Sequence, residues 1–510
     1  MRRKDVNQIK IGGLLSYLQT GLNAIITLVY TPIMIRLLGS SEYGLYNTVS
    51  SVISIIALLN LGFSSTYIRF YTRYDAVHDK QSVGKLNGMF LCIFAGIAAA
   101  AAVCGIFLSN HLFVVFSEGL TEAEYATAKI LLLILTGNLT ITLVGSTFTC
   151  IITANEQFVL LKLIGLIRLV VSPLITIPLM LAGYGSVGVV VTTTICSCIA
   201  EGIHIWYVFF VLKAKFDFSG FNGEVFRAVC SFTVLIAIHL IVDQINWNVD
   251  KILLGRFKGT ESVALYSVGY SLYSHFMTIG LTMVGLFTPR VHKIVSNFQN
   301  DKHQLMQNLT GLFTTLGRIQ FFILAPIAVG FLFWGKPFLG FWVGPEYIDA
   351  YYVALLLMIP GSVDIIQNIG IEIQRALGLH GFRAAIYAVM AVINVLISAV
   401  LCQKYGAVGC AVGTAISLIL VQGIIMNVYY YKRCYLDIPA FWKSIFSVGK
   451  GLILPVCFGL VMCNLKNCYT IVELLVCLSC FVLIYIVSMF WLGMTSEERK
   501  TVNTIWKNRR

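Results

Sequence analysis

Residues 86–108 hold no charged side chain, and thirteen other stretches of similar length are nearly as apolar. Only a helix of about 20 such residues satisfies its own backbone hydrogen bonds while crossing roughly 30 Å of hydrocarbon. The stretches run over 11–35, 44–68, 86–108, 130–152, 158–181, 187–212, 229–254, 263–289, 313–334, 350–371, 383–402, 406–431, 446–465 and 470–493. The expected fold is therefore all-α: a polytopic integral membrane protein with about 14 transmembrane helices. With 58% hydrophobic and 12% charged residues and a mean hydropathy of +0.84, a soluble globular fold is excluded. The connections are too short to form a separate catalytic domain.

The chain also repeats itself. Residues 184–188 read YGSVG and residues 405–409 read YGAVG, 221 positions later. Leu37-Leu38-Gly39 followed by Tyr46 returns as Leu253-Leu254-Gly255 followed by Tyr266, with the leucine pair displaced by 216. Self-similarity at a near-constant offset predicts a duplicated bundle with a binding site where the copies meet. The expected division is an N-lobe over 1–212 (spans 1–6), a linker over 213–228, a C-lobe over 229–431 (spans 7–12), and spans 13 and 14 with a tail over 432–510. Six spans per copy give the two lobes the same orientation. The offsets set Asn23 on His239, Thr27 on Asp243 and Glu201 on Gln422.

Charge assigns the sides. With fourteen spans, the loops on the side of the termini carry 25 Lys and Arg and the opposite loops carry 8. By the positive-inside rule both termini are cytoplasmic. The first span is too long for a signal-peptide core and lacks a cleavage site after it, so it reads as retained. Basic loops facing anionic lipid account for the net charge of +13, and no nucleic-acid module is visible. The 14 cysteines show neither zinc-ligand spacing nor a disulfide framework, and nothing calls for a cofactor.

Hydrocarbon should exclude polar groups, so those inside spans are informative. His239, Asp243, Asn246 and Asp250 recur at helical spacing on span 7, and span 1 carries a milder stripe of Ser16, Gln19 or Thr20, Asn23 and Thr27. Span 6 carries Thr194, Ser197, Glu201 and His204. Asp364, Gln367 or Asn368, and Glu372 form a stripe on span 10. Arg168 lies mid-span, whereas Lys162 and Arg318 are near enough to span ends to snorkel. Hydroxyl and amide stripes serve as interhelical glue or as ligand contacts. Buried ionisable groups mark pathways or relays, although Arg168 pairing with Glu201 as a structural bridge is the plain alternative. Arg69 and Arg73 close span 2, and Arg290 and Lys293 close span 8. Setting Tyr46 on Tyr266 places Arg73 on Lys293. Such a rim suits a diphosphate, and positive-inside topology alone also explains it.

The 6 + 6 + 2 plan, the run TPIMIRLLGSSEYGLYN, the span 7 exit DKILLGRFKGTESVALYSVGYSL and the two YG[S/A]VG helix starts resemble the polysaccharide-exporter branch of the multidrug/oligosaccharidyl-lipid/polysaccharide superfamily. The resemblance covers essentially the whole chain. It implies a flippase, not an enzyme, in the bacterial inner membrane. The substrate would be an undecaprenyl-diphosphate-linked oligosaccharide for O-antigen (lipopolysaccharide), capsule or exopolysaccharide. It also implies a cavity between lobes that opens alternately to each side, with cations near the diphosphate and the last two spans forming a lipid-tail groove. Arg69, Arg73, Arg168, Arg290, Lys293, Asn23, His239 and Asn246 are the candidate substrate contacts. Glu201, Asp243 and Asp364 are the candidate coupling sites for H+ or Na+. The expected partners are the lipid-linked oligosaccharide, membrane lipids and the polysaccharide assembly machinery, with the carrier itself a monomer. A multidrug or cation antiporter of the same superfamily and a membrane polysaccharide polymerase or ligase are the alternatives. Antiporters usually have twelve spans. Polymerases and ligases usually have a large external loop, whereas 109–129 is short and acidic.

Overall fold

The computed structural model describes residues 3–60, 62–116, 120–219, 223–282, 284–298, 300–465 and 470–507. Within them, the side chains of 3–10, 12–14, 17, 114, 115, 224, 232, 234–240, 242, 243, 245, 246, 380, 501–503 and 505–507 lie outside the description. His239, Asp243 and Asn246 are among these.

The described residues form helices without a strand. In order they are α1 (Arg3–Ile56), α2 (Phe63–Ala76), α3 (Lys80–Asn110), α4 (Leu112–Phe116), α5 (Glu122–Ala154), α6 (Phe158–Leu179), α7 (Gly185–Trp206), α8 (Gly223–Phe257), α9 (Thr260–Leu281) and α10 (Thr288–Phe298). There follow α11 (Lys302–Trp342), α12 (Ala350–Ile366), α13 (Ile369–Ala376), α14 (His380–Leu418), α15 (Met426–Arg433), α16 (Ile438–Gly449), α17 (Ile453–Leu465), α18 (Ile471–Ser488) and α19 (Ser496–Lys507).

Nine helical stretches among the described residues are long and apolar enough to cross a membrane. Three of them, Leu18–Ala76, Phe158–Val211 and Gly381–Arg433, span 59, 54 and 53 residues. At about 1.5 Å per residue each far exceeds the hydrocarbon thickness. All three contain glycines at positive φ: Gly39 (75°) and Gly62 (76°) in the first, Gly183 (88°) and Gly185 (52°) in the second, and Gly406 (58°) in the third. The second and third stretches turn back on themselves there. A Cβ on Gly188 would sit 3.2 Å from the Leu179 Cβ, and one on Gly409 would overlap the Leu401 carbonyl. Residues eight or nine apart in a continuous helix stand about 12 Å apart or more. The repeated YGxVG is thus a helical hairpin: its first glycine makes the turn, and its second lets the two helices touch.

The second sequence repeat needs a different register. Gly255 lies inside α8, where a Cβ would press on Thr48 at 2.8 Å, while Gly259, at φ 79°, breaks the helix as Gly39 does. Gly39 therefore corresponds to Gly259, an offset of 220 that also relates Tyr46 to Tyr266. In this register Asn23 matches Asp243, not His239, and Thr27 matches Trp247. Leucine pairs are common in apolar helices, so the shared Leu-Leu-Gly misplaced the alignment by one turn.

The chain packs as two compact units, Met1–Ala264 and Leu265–Arg510. In the first, α5 packs between α3 and α7, while α1 lies against α5, α6, α7 and α8. Its core gathers Leu45, Val49, Phe116, Leu131, Leu132 and Val190, with a second cluster around Tyr67, Phe90, Phe94 and Phe148. In the second unit α11 contacts α12, α16, α17 and α18. The helices of expected spans 13 and 14 therefore seat on α11, where Trp334 packs with Leu474, Cys477 and Phe481. Many large apolar side chains point outward, among them Leu174, Leu181, Phe210, Phe446 and Leu483, as a surface bathed in lipid requires.

Candidate functional site

The span 6 stripe becomes a connected polar group in the first unit. Glu201 and His204, one turn apart on α7, form a pair with Oε2 and Nδ1 at 3.1 Å. Thr149 on α5 adds a contact to the same ring nitrogen at 3.4 Å. Gly145 makes this possible, because any Cβ there would overlap the Glu201 carboxylate. Arg168 on α6 does not bond Glu201: its Nη2 donates to Ser197 Oγ at 2.8 Å. The bridge considered from sequence is therefore replaced by two separate pairs. The helical steps put Ser197, Glu201 and His204 on one face but could not say which neighbouring helix would supply each partner.

In the second unit the network is built differently. Arg383 on α14, 9% exposed, reaches Asp364 on α12 at 3.5 Å, the Tyr387 hydroxyl at 2.7 Å and the Tyr430 hydroxyl at 3.1 Å. Its guanidinium carbon lies 4.4 Å from the centre of the Tyr387 ring. Tyr387 donates to Gln422 Oε1 at 2.8 Å, and Gln367 Nε2 donates to Asn427 Oδ1 at 2.9 Å, which also accepts from the Trp442 indole at 3.0 Å. Asp364 thus has a resident cation. The stripe expected to continue from Asp364 to Glu372 is interrupted, because α12 ends at Ile366 and α13 begins at Ile369. Glu372 instead pairs with Arg375 at 2.6 Å.

Arg318, expected to snorkel, is buried at 5% exposure. Its Nε and Nη2 each donate to Glu498 of α19 at 2.7 Å, and its Nη1 donates to the Ser444 carbonyl at 3.0 Å. A tail helix covers it, which hydropathy does not reveal. Burial pushes the Glu498 carboxyl upward, but hydrogen bonds from Arg318 and Thr495 outweigh it and hold the group below the usual glutamate range.

Two further carboxylates escaped the sequence reading. Glu124 accepts four hydrogen bonds: Oε1 from the Ser41 and Thr260 hydroxyls at 2.6 and 2.7 Å, and Oε2 from the Thr121 amide and hydroxyl at 2.8 and 2.9 Å. It ties the kink of α1 to the starts of α5 and α9. Glu42 accepts from the Ser186 amide and hydroxyl at 2.7 and 2.8 Å, satisfying the N-terminal end of α7 beside the turn glycine. Thr121-x-x-Glu124 is a capping box visible in sequence. Nothing signals the long-range half of either interaction.

The remaining candidates stand at helix surfaces. Arg69 and Arg73 are exposed one turn apart on α2, Arg290 and Lys293 are exposed on α10, and Asn23 is exposed on α1.

A cavity of about 530 Å³ opens in the second unit among α9, α11, α12 and α18. Ile279, Pro326, Phe331, Phe338, Val482 and Ile486 give it an apolar wall, and His275 and Tyr485 supply the polar tips. The Tyr485 hydroxyl is already committed to the Phe322 carbonyl at 2.7 Å.

Comparison with known proteins agrees with this architecture. A protein of Shigella flexneri named "Putative O-antigen transporter" is 20% identical over 429 residues, covering 81% of this chain and 96% of its own. The "Probable low-salt glycan biosynthesis flippase Agl15" of Haloferax volcanii is 24% identical over 175 residues, 34% of this chain and 35% of its own. Among solved structures, the lipid II flippase MurJ in an inward closed conformation superposes with a TM-score of 0.67 at 16% identity, covering 94% of this chain and 97% of that one. An inward-facing multidrug MATE transporter gives 0.61 at 13% identity, with 84% and 99% covered. These likenesses establish a transporter fold of the MurJ and MATE type. Residues 11–295 match the model of the polysaccharide biosynthesis protein family, and with more than half its length inside that match, this chain is a member of it, a multi-pass membrane protein of the flippase and transporter kind.

Proposed function

We propose that the chain flips an undecaprenyl-diphosphate-linked oligosaccharide across the bacterial inner membrane, for O-antigen, capsule or exopolysaccharide assembly, by alternating access. The observation that carries this reading is the apolar cavity beside α18. A glycan cannot cross hydrocarbon unshielded, whereas an isoprenoid tail is at home there. A carrier for such a molecule needs a dry groove for the tail and a polar route for the head. The α16–α18 addition supports the first role. The exposed cations Arg69, Arg73, Arg290 and Lys293, and the half-buried Arg168 on α6, are chemically suited to a diphosphate, because guanidinium groups bind phosphate oxygens in pairs. Asn23, His239 and Asn246 are proposed to contact the glycan. Glu201, Asp243 and Asp364 are the proposed coupling groups, with the termini in the cytoplasm. Moving a substrate in this way breaks no covalent bond, so no catalytic residue is assigned.

Complementation tests the proposal. In strains lacking their own flippase and making defined repeat units, this chain should restore surface polymer for at least one glycan type. Failure across all of them, together with raised drug resistance in an efflux-deficient host, would reassign it to drug transport.

A further inference from the structure

Among the buried groups of the first unit, one nitrogen is set apart. His204 is 7% exposed, and its Nε2 has no hydrogen-bond partner among the described residues. On the other side of the ring, Nδ1 faces the Glu201 carboxylate at 3.1 Å. A carboxylate there accepts a proton from Nδ1, which fixes the neutral tautomer with the lone pair on Nε2. A buried lone pair without a donor is costly to keep. Binding a proton turns the pair into an imidazolium facing a carboxylate, with no net charge in the membrane.

We propose that Nε2 of His204 is a proton-binding site prepared by Glu201, and that its occupancy governs the transport cycle of this chain. The inference rests on the transporter reading above and narrows its coupling ion to a proton at one atom. His204 is the proton-binding group and Glu201 the positioning residue.

The surroundings are consistent with a single site. From α6, the ionisable groups are Arg168, engaged with Ser197, and Lys162 near the helix start. α5 carries Glu122, Glu124, Tyr125 and Lys129 in its first turns, with Glu124 engaged by Ser41, Thr121 and Thr260, and near its other end the buried Cys150 beside Thr149. Among its described side chains α1 brings Tyr30, Arg36, Glu42, Tyr43 and Tyr46, of which Glu42 bonds Ser186 at the far end of α7. Past the end of α7, Tyr207 donates to Gln157. The duplication supplies an internal comparison. At the 221 offset Glu201 and His204 correspond to Gln422 and Ile425, so the second copy keeps the hairpin and lacks the acid–base pair.

The test has two arms. First, the full-length protein labelled with ¹⁵N-histidine is placed in lipid nanodiscs, and the His204 ring is assigned through its contact with Thr149. At pH 8 the expected state is Nδ1 protonated and Nε2 bare, with Nε2 becoming protonated on acidification to pH 5.5. In Glu201→Gln the single tautomer should give way to a mixture. A ring carrying its proton on Nε2 at pH 8, or one unchanged across that range, overturns the proposal without any variant having to fold. Second, proteoliposomes receive a fluorescent undecaprenyl-diphosphate oligosaccharide as probe. An imposed pH gradient should change the wild-type rate at least fivefold and leave His204→Gln unaffected, whereas equal responses overturn the coupling role. Absence of movement under every condition would count against the flippase reading, while the first arm still decides the proton site.

Discussion

Gly185 and Gly406 share one backbone conformation, φ 52° with ψ −140° and φ 58° with ψ −135°, across 221 residues. A side chain is disfavoured in this region, so the two turns cost about 1–3 kcal/mol each when glycine is replaced. At Gly406 a Cβ would meet nothing within 4 Å, whereas at Gly185 it would overlap the Glu42 carboxylate. Gly406→Ala should therefore lower stability by the backbone cost alone. Gly185→Ala should lower it further by displacing the cap from Ser186. Thermal unfolding in detergent checks the order, and equal losses would contradict it.

Glu124 gathers Ser41, Thr121 and Thr260. Because the Ser41 and Thr260 hydroxyls share Oε1, cysteines at these two positions in a cysteine-depleted background should form a disulfide under mild oxidation. If opening at this end is part of the cycle, the crosslink stops polymer export and reduction restores it. Glu124→Ala, which leaves three helix ends without their common acceptor, should cost about 2–3 kcal/mol, read as a fall in melting temperature.

Arg318 and Glu498 are not equivalent to remove. Glu498→Ala leaves the 5% exposed guanidinium without its counter-charge, a loss of about 3 kcal/mol or more. Arg318→Met leaves a carboxylate whose side chain is 30% exposed and should cost nearer 1 kcal/mol. The folded Glu498 lies below its ordinary value of 4.5, so the attachment is present above that value and is lost as pH falls through the folded one. Limited proteolysis should release α19 under acid and at neutral pH in Glu498→Ala, and spare it in the wild type at pH 7.

The apolar cavity gives a test of the tail groove. Ile279 lines it and is exposed, so Ile279→Trp fills space without opening a core. Movement of a long-chain polyisoprenyl substrate should drop at least fivefold, and that of a short-chain analogue much less. Equal effects on both would remove the cavity from tail binding.

Arg73→Gln with Lys293→Gln, combined and with insertion intact, should cut polymer export at least tenfold. Unchanged export would take these positions out of diphosphate binding.

The two YGxVG copies were legible as equivalent helix starts because a five-residue match returned at a fixed offset, whereas the turn back at their first glycine came from its positive φ. The apolar runs gave the helices for an equally local reason. Register was less secure: Leu-Leu-Gly is a cheap match in a leucine-rich chain, and only the positive φ of Gly259 set span 7 against span 1 correctly. Partner choice was not legible. Asp364 and Arg383 sit on different helices and share no stripe, Glu124 resembles any acidic residue at a helix start, and Arg318 looked free to reach water because its cover lies 180 residues further on.

That separation bears on how the chain is made. At about 5–20 residues per second, the ribosome adds Glu498 some 10–40 s after it has added Arg318. Throughout this interval α11 holds a cation without the carboxylate that will neutralise it. α19 therefore completes an element inserted long before it. A chain truncated before residue 498 keeps that cation without its carboxylate.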